Sequence, residues 1–150
     1  MNKLKAFERN NSRVHFLPLA LGAKNEVTTF YESQSYESGS LKKDHKNVLS
    51  DQVTKYDVQV VTLDTLIQKC GGKSVSIMKI DIEGEEYVLI DSLSKETLKQ
   101  INQLIIEFHH DIIQNCSIVE TKKAIKTIEK LGMKSVFYNG CDCLFYWKNT

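Results

Sequence analysis

The chain has 150 residues, 41% of them hydrophobic and 26% charged, which suits one compact globular domain and leaves no room for a second. Twenty Lys and Arg stand against nineteen Asp and Glu, and the formal net charge of +1 supplies no field that would draw the protein to nucleic acid or anionic lipid. No apolar run reaches the ~20 residues needed to cross a bilayer, and Met1-Asn2-Lys3-Leu4-Lys5 opens no signal-peptide core, so the expected setting is cytoplasmic.

In chain order, Leu4 and Phe7 at helical spacing predict a short helix from Asn2 to about Asn10. Val14 to Ala20 is apolar enough for a strand, with Pro18 arguing for an edge or a strand end. Val27 to Tyr31 follows the turn-forming Gly22 to Glu26, which suggests a small β-hairpin. The serine-rich, charged stretch 32–52 has no sustained period and reads as a long surface loop, either a cover for a site or a mobile insertion. Tyr56 to Val61 alternates as a strand, and a short helix capped by Thr62 or Asp64 runs to Gly71-Gly72. Val75 to Ile82 is an apolar run of the kind a central strand covered on both faces requires. A helix from Gly84 to Ser94, a second buried strand from Gln103 to Phe108 and an amphipathic helix from Ile118 to Leu131 come next. Strands 134–138 and 143–147, joined by Asn139-Gly140, complete a sheet expected to be mostly parallel with an antiparallel C-terminal hairpin.

Cys70, Cys116, Cys141 and Cys143 include no C-x-x-C pair, and no histidine pair at zinc-finger spacing accompanies them. Free thiols are the expectation, with an oxidised Cys141 and Cys143 pair as the alternative.

Ligands of open α/β sheets bind beyond the carboxyl ends of the strands, where Asp81 and Glu83 close one strand and Glu107 and His109 the next. Neighbouring strands lie ~4.8 Å apart, so these four side chains are within reach of a common polar cluster. Quieter roles exist for each. Glu85 and Glu86 sit at a helix start, where the macrodipole favours negative charge; Lys79 suits a structural ion pair with Glu86 or Glu107; His109 and His110 suit an exposed loop. A buried Asp81 needs a ligand, a donor such as Lys79, or backbone amides.

Three segments carry a resemblance: Val58 to Asp64, then Met78-Lys79-Ile80-Asp81-Ile82-Glu83-Gly84-Glu85-Glu86, then Leu104-Ile105-Ile106-Glu107-Phe108-His109. In this order they resemble the motifs of the FkbM methyltransferase family, the K-I-D-I-E-G-x-E run being the most specific. Arg13 to Gly22 is similar to that family's third strand and following turn, and Gly39-Ser40-Leu41 to a pattern in its variable loop. The resemblance implies a Rossmann-like fold and methyl transfer from S-adenosylmethionine, usually to a hydroxyl of a small molecule or glycan. It implies catalytic roles for Asp81, Glu83, Glu107 and His109, and a cofactor border at Ala20, Leu21 and Asp81, with no metal. The family's first strand-helix-strand unit, with its glycine-rich loop, is expected ahead of Asn2, and no G-x-G-x-x-G occurs in the sequence. Without that unit the edge of the strand ending at Asp81 is left bare, which invites self-association or a complementing N-terminal segment.

Two other readings follow from the same residues. One is a non-catalytic remnant or interaction module of the same fold; the other is a divalent-metal site at the acidic strand ends, which leaves the succession of motifs unexplained.

Overall fold

The computed structural model describes residues 2–34 and 38–148. Helix α1 (Asn2–Arg9) forms as expected, and the chain then runs to β1, which is only Ala20–Leu21. The strand expected from Val14 is confined to its end: Pro18 has no N–H to give, the Leu19 N–H turns back to the Leu17 carbonyl, and Val14 and Leu17 stay exposed.

Strand β2 (Glu26–Ser33) makes no hairpin with the segment before it. It pairs antiparallel with β4 (Val53–Val61), from Glu26 opposite Val60 to Ser33 opposite Val53, while β1 lies parallel along the other edge of β4. Turn residues decide where a chain reverses, not which strand receives its hydrogen bonds. Between β2 and β4, stretch 32–52 is not one loop. Apart from 35–37, which lie outside the described residues, it holds the end of β2, β3 (Gly39–Ser40) paired with β2, and the short helix α2 (Lys46–Ser50).

Helix α3 (Leu63–Lys69) starts at Thr62, whose hydroxyl accepts the Thr65 N–H, and stops at Gly71 and Gly72, both at positive φ. A second sheet then assembles from β5 (Val75–Ile80), β6 (Ile101–Glu107), β7 (Lys134–Tyr138) and β8 (Asp142–Tyr146), in the order β5-β6-β8-β7. Helices α4 (Glu86–Ser92) and α5 (Lys95–Leu98) make the crossover between parallel β5 and β6. Helix α6 (Ile118–Lys130) leads to the antiparallel β7 and β8, and its start carries a reciprocal cap between Ser117 and Glu120. The hairpin turn places Asn139 at φ 47° and Gly140 at φ 79°, the left-handed region that Asn-Gly tolerates.

The fold is therefore α/β, but not one mostly parallel sheet. Its described residues form two four-stranded mixed sheets, β1-β4-β2-β3 and β5-β6-β8-β7, each with a single parallel pair at one end. Strand β5 is not covered on both faces either: it ends its sheet, bonds among the described residues to β6 alone, and leaves Ile77 61% exposed. An apolar run reports a tendency to be buried, and the neighbours that would bury it have to be supplied by the rest of the sheet. The main core lies on the second sheet, where Leu104, Ile106 and Phe145 meet Leu89 and Ile90 of α4, Ile128 of α6, and Leu63 and Ile67 of α3. All four cysteines are free. Among the described residues, no helix is long and apolar enough to cross a membrane.

Candidate functional site

The two end strands β1 and β5 both line a groove of about 890 Å³, whose apolar wall includes Leu17, Leu19, Leu21, Phe30 and Met78 and whose polar rim includes Lys79, Asp81 and Glu83. The rim is assembled by strand register. Because β5 and β6 are parallel, with Ile80 opposite Ile106, their carboxyl ends emerge at the same level, and Asp81 and Glu107 become neighbours.

Lys79 joins them. Its ammonium donates to Asp81 Oδ2 at 3.0 Å and to Glu107 Oε2 at 2.9 Å. Those two bonds, with Glu107 the larger influence, hold its pKa well above the usual lysine value. Of the two partners expected for Lys79, Glu86 and Glu107, the structure selects Glu107 and adds Asp81. Asp81, Glu107 and His109 also offer ligand atoms within 4.8 Å of one another, but the cation between the two carboxylates is Lys79, and we assign no metal ligands there.

Behind the rim, the chain turns sharply at Glu83 (φ 51°) and Gly84 (φ 105°). The second position calls for glycine because φ 105° is a backbone conformation that residues with a side chain rarely adopt; a Cβ there would also displace the Ile113 side chain, whose Cδ1 would lie 2.3 Å away. The turn wraps the Glu86 carboxylate, which is 0% exposed and accepts the Ile82 N–H at 3.1 Å and the Gly84 N–H at 3.1 and 3.2 Å. A helix-start role is thus not the main one for Glu86. It is a buried acceptor whose Oε1 also lies 2.9 Å from His109 Nδ1. Held by the Ile82 and Gly84 N–H groups, the carboxylate presents Oε1 to His109 as an acceptor, which assigns the ring proton to Nδ1 and aims Nε2 at Asp81 Oδ1 (3.6 Å) and Glu83 Oε2 (3.7 Å). Burial disfavours the charged ring, but the bond to Glu86 and the charges of Glu86, Glu83 and Asp81 outweigh it, and the His109 pKa is raised.

The structure thus brings Asp81, Glu83, Glu107 and His109 into one network, and it puts Ala20 and Leu21 on the wall of the adjoining groove. Neither histidine is exposed: His109 is largely covered, and His110 is buried with its Nδ1 3.1 Å from the Thr121 hydroxyl. Two members of the network were not legible as such in the sequence. Glu86 stood among three acidic residues at a helix start, and His45 stood in a stretch with no periodicity; yet His45 is buried, with Nε2 3.0 Å from Glu83 Oε2. The only local signal for Glu86 was its place two residues after an obligatory glycine turn.

The methyltransferase FkbM domain matches residues 2–134. This chain belongs to that family. No curated protein and no solved structure matches it. The family match ends where β7 begins, but β8 bonds along β6 from Gln103 to Glu107, so the C-terminal hairpin is built into the sheet that carries the site.

Proposed function

We propose that this FkbM-family chain serves S-adenosylmethionine-dependent methyl transfer, with a hydroxyl of a small molecule or glycan as acceptor. The observation that carries this reading is the Glu86–His109 pair opening onto the carboxylates at the rim of an apolar groove. The groove suits the cofactor's chemistry, since its aliphatic and aromatic wall offers apolar surface to an adenosine and its acidic rim favours a sulfonium. Ala20 and Leu21 would border the adenine side, and Asp81 would face the charged end.

When bound, the cofactor supplies an already electrophilic methyl group, so the protein's task is to position the acceptor and to take its proton. His109 Nε2 is the atom that accepts the proton. Glu86, fixed at Nδ1, keeps the ring in the tautomer with a free Nε2 and stabilises the imidazolium that forms. Glu83 and Asp81 add negative charge on the same side, while Lys79 ties Asp81 to Glu107 and sets where the Asp81 carboxylate stands.

A second reading is favoured by the outer edges of β1 and β5, which have no strand partner among the described residues: a non-catalytic module of the same fold that associates through those edges with a second copy or with a complementing strand. Calorimetric titration with S-adenosylhomocysteine separates the two. Saturable binding that weakens at least about tenfold in Asp81→Ala, or about 1.4 kcal/mol, supports the enzyme reading. No binding by folded protein, with a sedimentation mass above that of one chain, supports the module.

A further inference from the structure

We infer that His45 is a positioning residue of this site: locked as the neutral tautomer with its proton on Nε2, it tethers the Glu83 carboxylate beside His109. His45 is the N-cap of α2, and its Nδ1 accepts the Asn47 N–H at 3.2 Å. A ring nitrogen that accepts carries no proton, so the proton of the neutral ring is on Nε2, 3.0 Å from Glu83 Oε2. That same oxygen lies 3.7 Å from His109 Nε2. One carboxylate oxygen therefore stands between two imidazoles, one of which donates to it from a fully buried position.

A helix cap alone does not call for histidine, because Asn, Asp or Ser would cap this turn at least as well. The second nitrogen reaches a residue far along the chain. Other bonds stitch the same segment to the same turn. The Ser40 hydroxyl donates to the Glu83 carbonyl at 2.6 Å, Lys42 pairs with Glu85 at 3.3 Å, and His45 bridges Ile113 on the other side. These contacts hold Glu83 in a left-handed backbone conformation unusual for a residue with a side chain. The charged groups that face His109 are Glu86 of α4, Glu83 and Asp81 of the turn, and Glu107 of β6, with Lys79 of β5 bonded to Asp81 and Glu107; the group that faces His45 is Glu83.

The inference rests on reading His109 as the base. Its test follows ring titration instead of methyl transfer, so a failure of the tether is distinguishable from a failure of the function. Long-range proton–nitrogen spectra of the 15N-labelled full chain report the tautomer of each histidine and the midpoint of His109. Native His45 is expected to show the Nε2–H pattern. His45→Asn keeps a helix cap but is too short to reach Glu83, and the His109 midpoint should move to lower pH as Glu83 swings away. His45→Gln, which retains a donor at about the right reach, should return it towards the native value. With Glu83→Gln in place, His45→Asn should have no further effect. A proton on Nδ1 of native His45 overturns the inference. So does an unchanged or raised His109 midpoint in folded His45→Asn, a midpoint as low in His45→Gln, or an effect that persists without the Glu83 charge. If His45→Asn does not fold, the native tautomer decides.

Discussion

The two sheets of this protein use the same kinds of residue to different ends. In the second, β6 and β8 are alternately buried, and Leu104, Ile106, Cys143 and Phe145 join the helices in one closed core. In the first, β2 and β4 are mostly exposed or half-buried, Val27 is 64% exposed, and none of their residues enters the main buried cluster. The contrast separates stability from site-building: the second sheet supplies a rigid platform for the acidic and histidine groups, while the first contributes β1, one wall of the groove and the strand that leads to the Ser40 and His45 segment.

Removing apolar bulk should break the comparison most visibly if it is wrong. Leu104→Ala, at a fully buried position, is expected to cost about 2–5 kcal/mol in chemical denaturation, whereas Val27→Ala should stay within about 0.5 kcal/mol. Equal losses would mean that the first sheet is as much part of the cooperative core as the second.

The next effect in size belongs to the buried acid on which the platform and the site meet. Glu86→Gln puts an amide where three backbone contacts and His109 need an acceptor, and should destabilise the fold by about 1–3 kcal/mol. The same variant should bring the His109 titration back to lower pH, which one-dimensional proton spectra would show. A variant as stable as the native chain would mean that the Glu86 carboxylate is not the anchor of the turn.

The raised His109 pKa gives a pH dependence whose sign is fixed. A group whose pKa is higher in the folded state stabilises fully below its unfolded value of 6.5, and that contribution fades as the pH rises through the higher folded value. Melting temperature should therefore fall as the pH rises from near the ordinary histidine value to above it. His109→Gln should flatten that slope. A slope that survives in His109→Gln would place its origin elsewhere.

The smallest expected effect sharpens the contrast at the helix that covers the second sheet. Ser117→Ala removes half of the reciprocal cap on α6 and should cost about 1 kcal/mol by denaturation. No loss would show that packing of Ile125 and Ile128 holds the helix without its cap.

Much of the second sheet was legible in the sequence, and little of the first. The runs at Val75 and Gln103, the amphipathic period of α6 and the Asn139-Gly140 turn all express local preferences that the tertiary structure reinforces. The pairing of β2 with β4 crosses nearly the whole of stretch 32–52, and no local pattern names the partner of a strand across such a distance. The site divides in the same way. Asp81, Glu83, Glu107 and His109 could be brought together from strand ends and parallel register, because that geometry is periodic. Glu86 and His45 could not, since their roles follow from the direction in which a buried side chain points.

By itself, then, the sequence determined an α/β chain of the FkbM family, the positions of most helices and strands, and the four ionisable residues gathered at two neighbouring strand ends. Only the tertiary structure decided that there are two mixed sheets, that β5 ends one of them, and that Glu86 and His45 aim His109 and Glu83. The physical reason is range. Propensity and periodicity act over a few residues, whereas strand pairing and the satisfaction of a buried charge are settled by whichever groups the completed fold brings within about 3 Å.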